Sequence, residues 1–144
     1  MKLITAPELV LPSKMVTVFL AGSMQPWRTQ LINELKDVDC RVINPTRMDM
    51  YSTRGQAEWS YDAIKQSNLV LVVFNQHTLC PETLLELGYA LGCGTKSVLV
   101  YCPLEYALRE VVETLCDREC VMTFQDYDNF VSEVKEYLNV DYNS

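Results

Sequence analysis

The sequence predicts an α/β fold, a single-domain doubly wound sandwich around a five-stranded parallel sheet, and three observations carry that reading. Short, nearly continuous apolar runs rich in β-branched residues alternate with stretches whose apolar residues recur at helical spacing. Gly, Pro or Asn stands at most of the junctions, where a chain changes direction. The 144 residues, 49% of them hydrophobic, are enough for one core and too few for two.

Taken in order, MVTVFLA (15–21) reads as a buried strand that ends at Gly22-Ser23. Pro26 opens a helix at its first turn, and Trp27, Leu31, Ile32 and Leu35 follow at helical spacing. CRVIN (40–44) is a second strand stopped by Pro45, and a loop runs to about Gly55. A helix through Trp59, Ala63 and Ile64 leads into the strand LVLVVF (69–74). Thr83 to Leu91 form a helix closed by Gly92 and Gly94, before the strand KSVLVY (96–101). LEYALREVVETL (104–115) is helical, ECVMTF (119–124) is the fifth strand, and DYDNFVSEVKEYL (126–138) is a last amphipathic helix. Strands without polar alternation are buried on both faces, which requires a parallel sheet covered by helices. Right-handed crossovers then leave a flavodoxin-like or Rossmann-like arrangement. The domain spans 1–144, with a core over 15–139 and terminal extensions at 1–14 and 140–144.

Charge and composition exclude several roles. The net charge is −7 and the pI near 4.6, so an extended nucleic-acid backbone is not an expected partner. No apolar run approaches the roughly 18 residues of a membrane span. The opening MKLITAPELVLPSK has a weak apolar stretch broken by prolines and does not read as a signal peptide. The six cysteines include no C-x-x-C pair, and several lie in apolar runs where a thiol acts as a small hydrophobe. His77 is the lone histidine, so no metal site is expected, and no cofactor motif is present. These features predict a cytoplasmic protein.

In open α/β sheets ligands bind beyond the carboxyl ends of the strands. Four segments fall there. AGSMQPW could present backbone N–H groups and the Ser23 hydroxyl to a ligand, or be an ordinary strand-to-helix turn; it lacks the further glycines of a dinucleotide fingerprint. NPTRMD places Arg47 at the same edge, where a guanidinium can hold an oxygen or stack on a base, or simply be solvated. In QAEWSYDAIKQSN, Ser60 and Glu58 lie near the helix start, close to the loop that would border the pocket, Trp59 faces the sheet and is also readable as core, and Asp62 falls elsewhere on the helix. In PETLLELG, Glu86 falls in the first turn of a helix starting near Thr83, where the helix dipole would keep it ionised. Thr83 and Glu86 also fit a capping box, and spacing alone does not separate a cap from a site.

Gly22-Ser23-Met24, Asn44-Pro45-Thr46-Arg47, Trp59, the run from Ile64 to Phe74, and Thr83-Leu-Leu-Glu86-Leu-Gly-Tyr-Ala90 recur in an order that resembles the nucleoside 2-deoxyribosyltransferase-like family, nucleotide N-glycosidases included. The resemblance covers residues 15 to 103, and its most specific part is E-L-G-Y-A-L. It implies that Glu86 is a nucleophile that attacks C1′ of a 2′-deoxyribosyl group, forming a covalent glycosyl-enzyme that a second base resolves. Water as the acceptor would make the same site a nucleoside or nucleoside 5′-monophosphate hydrolase. Gly22, Ser23, Met24, Trp27 and Arg47 would bind substrate, as would Trp59, Ser60, Asp62 and Thr83. The implied partners are a small-molecule nucleoside or nucleotide and a free base, with no membrane, in a homodimer or higher homo-oligomer.

The chain departs from the family pattern at four places. Ser60 stands where many relatives keep a substrate-binding acid, Asn68 where Asp is usual, Cys80 where another Asp occurs, and Phe19 where a Tyr orients the nucleophile. Protonation of the leaving base is unassigned among Asp62, Glu58, Asp49 and Glu82. Met24-Gln25-Pro26-Trp27 replaces the Arg- and Gly-bearing phosphate loop of nucleotide hydrolases, which favours nucleosides. The rival from another class is a non-catalytic nucleotide-binding module in which Glu86 is dispensable.

Overall fold

The computed structural model describes residues 1–22, 26–45, 53–75, 77, 79–95 and 97–143, without the side chains of residues 53 and 140–143. The elements run β1 (Lys2–Thr5), β2 (Thr17–Gly22), α1 (Trp27–Glu34), β3 (Arg41–Asn44), α2 (Thr53–Lys65) and β4 (Leu69–Val73). They continue as α3 (Pro81–Gly92), β5 (Ser97–Tyr101), α4 (Arg109–Leu115), β6 (Val121–Phe124) and α5 (Tyr127–Asn143). All strand pairs are parallel, in the order β1-β3-β2-β4-β5-β6.

The α/β sandwich is as the sequence predicts, with six strands among the described residues in place of five. The additional strand is β1, inside the stretch expected to be a terminal extension. It sits at the sheet edge and buries only Ile4 fully, so it lacks the continuous apolar run that marks its neighbours. After β1 the chain returns along the α2 face as a strap, residues 6–14, with Val10 packed on the core. Among the bonds that hold it are three. The Glu8 N–H donates to the Thr5 carbonyl (3.0 Å), the Trp59 indole N–H to the Glu8 carbonyl (3.0 Å) and Arg41 Nη1 to the Leu11 carbonyl (2.8 Å).

The sheet separates two cores. Phe19, Ala21, Val70, Val72 and Val100 face α2, α3 and α4, where Ile64, Leu87 and Val112 meet them. Val18, Leu20, Leu69, Leu71 and Leu99 face α1 and α5, against Leu31, Phe130 and Val134. This alternation within each strand is what a sheet buried on both faces requires. The helix expected over 104–115 begins only at Arg109, because Tyr106 turns inward after Pro103, stacks on Phe74 and donates its O–H to the Leu79 carbonyl. None of the six cysteines forms a disulfide among the described residues, and Cys40, Cys102 and Cys116 are buried as small apolar side chains. Among the described residues, no helix is long and apolar enough to cross a membrane.

Candidate active site

From β2 the chain crosses by α1 to β3 on one side, and β4 then lies on the other side. The crevice between the carboxyl ends of β2 and β4 is therefore the topological switch point, where such sheets bind ligands. Gly22 closes β2 there, opposite Val73. A Cβ on Gly22 would lie 2.6 Å from the Val73 carbonyl oxygen and 2.9 Å from Trp27 Cζ2, and its φ of 148° suits glycine. Trp27 accordingly packs inward: it is 7% exposed, part of the core under α1, with its ring against Gly22. Ser23, Met24 and Arg47 lie outside the described residues, as does Asp49.

Helix α3 starts at Pro81, two residues before the predicted start, because proline's fixed φ suits the first helical position. Cys80 precedes it in the left-handed conformation (φ 45°, ψ 63°), and its side chain caps no N–H. Thr83 is thus inside the first turn and buried, Glu86 falls in the second, and the two form no capping box. The bland account of Glu86 is removed. Its helix packs on β2, β4 and α2, and helical side chains lean back toward the N-terminus, here the carboxyl edge of the sheet. Glu86 is mostly out of water, and burial pushes its carboxyl up to about 7, with the Arg28 guanidinium opposing the rise and Glu82 adding to it. Desolvation therefore outweighs the attraction of Arg28, so the helix position does not by itself keep the carboxyl ionised.

Arg28 is a residue whose signal in the sequence is weaker than that of Arg47, and it is not among the predicted site residues. It is 5% exposed, and its guanidinium donates to the carbonyls of Leu20 (2.9 Å) and Gly22 (2.6 Å) and to Asn44 Oδ1 (3.0 Å). It also lies 4.9 Å from the centre of the Trp27 ring. Burial lowers its pKa to about 10 against the pull of Glu86, so it stays cationic at neutral pH. The signal was present in the sequence: Arg28, Leu31 and Leu35 are spaced i, i+3, i+7, which puts a charge on the buried stripe of α1.

Residues 15–106 match the family model described as nucleoside 2-deoxyribosyltransferase like. The chain belongs to this family. No curated protein matches the sequence. Among solved structures, the CMP N-glycosidase BcmB of Clostridium botulinum has a similar fold, at 20% identity and a TM-score of 0.55. The alignment covers 84% of this chain and 99% of that one.

The part matched by the family model contains β2 to β5 and with them Gly22, Trp27, Arg28, Thr83 and Glu86; β1, the strap and α5 lie outside it. Of the α2 residues, Trp59 is half-buried with its N–H engaged by Glu8, Ser60 is partly buried, and Asp62 is exposed. Of the acids considered for protonating the base, and among the described residues, Glu58 is exposed and paired with Arg54 at 2.9 Å, while Glu82 is the one whose charge reaches Glu86. Phe19 is fully buried on the α3 side, where it offers no hydroxyl. Asn68 works at the opposite end of the sheet, where its Oδ1 accepts the Thr17 N–H and its own N–H donates to the Thr17 carbonyl. A depression along α4, lined by Leu104, Tyr106, Leu108, Arg109 and Glu113, holds none of the predicted residues.

Proposed function

We propose that the protein breaks the N-glycosidic bond of 2′-deoxyribonucleosides, with Glu86 as nucleophile, and passes the deoxyribosyl group to a second base. The observation that supports this best is a mostly desolvated carboxyl, outside any capping box, near the switch point and within electrostatic reach of a fixed guanidinium, in a chain of this family. In the first step a carboxylate oxygen of Glu86 bonds to C1′ while the C1′–N bond breaks, and its electron pair leaves with the base, which takes up a proton. In the second step the incoming base attacks C1′ through nitrogen, loses a proton and restores the carboxylate. Two displacements give net retention. A 2′-deoxy sugar eases the charge that develops at C1′, since it lacks the electron-withdrawing hydroxyl.

A second reading has water resolve the glycosyl-enzyme, which makes the protein an N-glycosidase of nucleosides or nucleoside 5′-monophosphates. The likeness of fold to the CMP N-glycosidase favours it. In both readings we take the working form to be a homo-oligomer, for which Leu79, Leu85 and Leu104, exposed around the start of α3, offer apolar surface. The test is chromatography of thymidine, deoxycytidine, CMP and the deoxynucleoside monophosphates, with and without free adenine. New deoxyadenosine establishes transfer, and free base without exchange establishes hydrolysis. No product across the panel, with ligand-induced thermal shifts intact, would favour the non-catalytic binding module.

A further inference from the structure

We propose that Arg28 is the positioning residue of this site: its guanidinium stands in for a missing strand at the end of β2 and fixes a positive charge at the crevice where α3 carries Glu86. The proposal rests on the reading of Glu86 as nucleophile. Strand β3 pairs with β2 only as far as Phe19 opposite Ile43, whereas β2 continues along β4 to Gly22. The carbonyls of Leu20 and Gly22, two residues apart, point to the same side of the strand. Arg28 donates to both, and also to Asn44 at the end of β3. Three acceptors in one planar fork suit a guanidinium and exceed what the tetrahedral ammonium of Lys can reach in that geometry.

The same group brings a fixed positive charge to the crevice. Among the described residues, the charges that bear on Glu86 are Arg28 from α1 and Glu82 from one turn back on α3. From α2, Glu58 is tied to Arg54 in solvent and Asp62 is exposed, and β2 and β4 present apolar side chains beneath α3. Without Arg28, both remaining influences, burial and Glu82, favour the protonated acid, which is not a nucleophile.

The experiment is a carboxyl 13C NMR titration of Glu86, assigned by its absence in Glu86→Gln, run with the pH profile of kcat/KM on wild type, Arg28→Gln and Arg28→Lys. Arg28→Gln is expected to raise the Glu86 midpoint by about one unit or more, which costs about tenfold at neutral pH and recovers in part above pH 9. Arg28→Lys is expected to lower kcat at every pH while the midpoint stays close to that of wild type. An unmoved midpoint in folded Arg28→Gln would overturn the proposal. Should that variant not fold, wild-type turnover by Arg28→Lys at every pH would overturn it instead, because the fork would be dispensable. The titration reads the carboxyl without turnover, so failure of the proposal and failure of the N-glycosidic reading are separate results.

Discussion

Among the described residues, two guanidinium groups are buried at opposite ends of the sheet, and they do different work. Arg41 opens β3 at the amino end, is 4% exposed, and bonds Thr17 Oγ1 (2.9 Å) and the Leu11 carbonyl (2.8 Å). Its Nη2 has no partner among the described residues. Arg28, 5% exposed at the carboxyl end, is bonded at three acceptors and feels the charge of a carboxyl, Glu86. Burial is nearly the same in both. What distinguishes the candidate site is the titratable partner, held in mostly dry surroundings at the point where the chain reverses its direction of winding. A buried arginine alone therefore marks a fastening, here between the strap and β3.

That contrast can be broken at either end. The largest effect on stability is expected from Gly22→Ala, which forces a methyl against the Val73 carbonyl and Trp27 in a backbone conformation that side chains avoid. Denaturant unfolding is expected to show a loss of about 3–4 kcal/mol. A smaller loss would mean that the crevice gives way more easily than its packing implies.

Glu86→Gln is expected to stabilise, and only at higher pH. Unfolded, Glu86 releases its proton near 4.5; folded, near 7; so the folded chain holds the extra proton between these values. Its contribution to stability falls as pH rises through that window and is a standing cost above it, on the order of 3 kcal/mol. The variant should melt several degrees above wild type at pH 8 and converge with it toward pH 4. Parallel melting curves across that range would show that the carboxyl is not strained by burial. Arg41→Met gives the smallest change, a loss of about 2 kcal/mol as Thr17 and Leu11 lose a donor. Its pH profile of turnover should match wild type, in contrast to Arg28→Gln.

The arrangement of the sheet was legible because its central strands are buried on both faces and so carry unbroken apolar runs, as LVLVV does. β1 was not, since an edge strand that buries one side chain in four leaves no such run. Glu86 was legible as a candidate from its apolar neighbours, yet its freedom from a capping role depended on where Pro81 starts the helix, two residues before the Thr83 that resembled a cap. Arg28 could be placed on the buried stripe of α1 by spacing, but its meaning lay in carbonyls that a short β3 leaves uncovered, a relation between strands that no local pattern encodes. Trp59 shows the converse: it was read correctly as a helix position, while its N–H is spent on a strap that sequence patterning left as an extension. Ser23, Met24 and Arg47 belong to the same candidate set and lie outside the described residues.

The most direct measurement is base release from the best substrate by Glu86→Gln beside wild type, at equal concentrations of folded enzyme. The account predicts a fall of about a thousandfold or more, because the amide cannot form the glycosyl ester. Release by Glu86→Gln within about tenfold of wild type would contradict it and assign the chemistry to another residue.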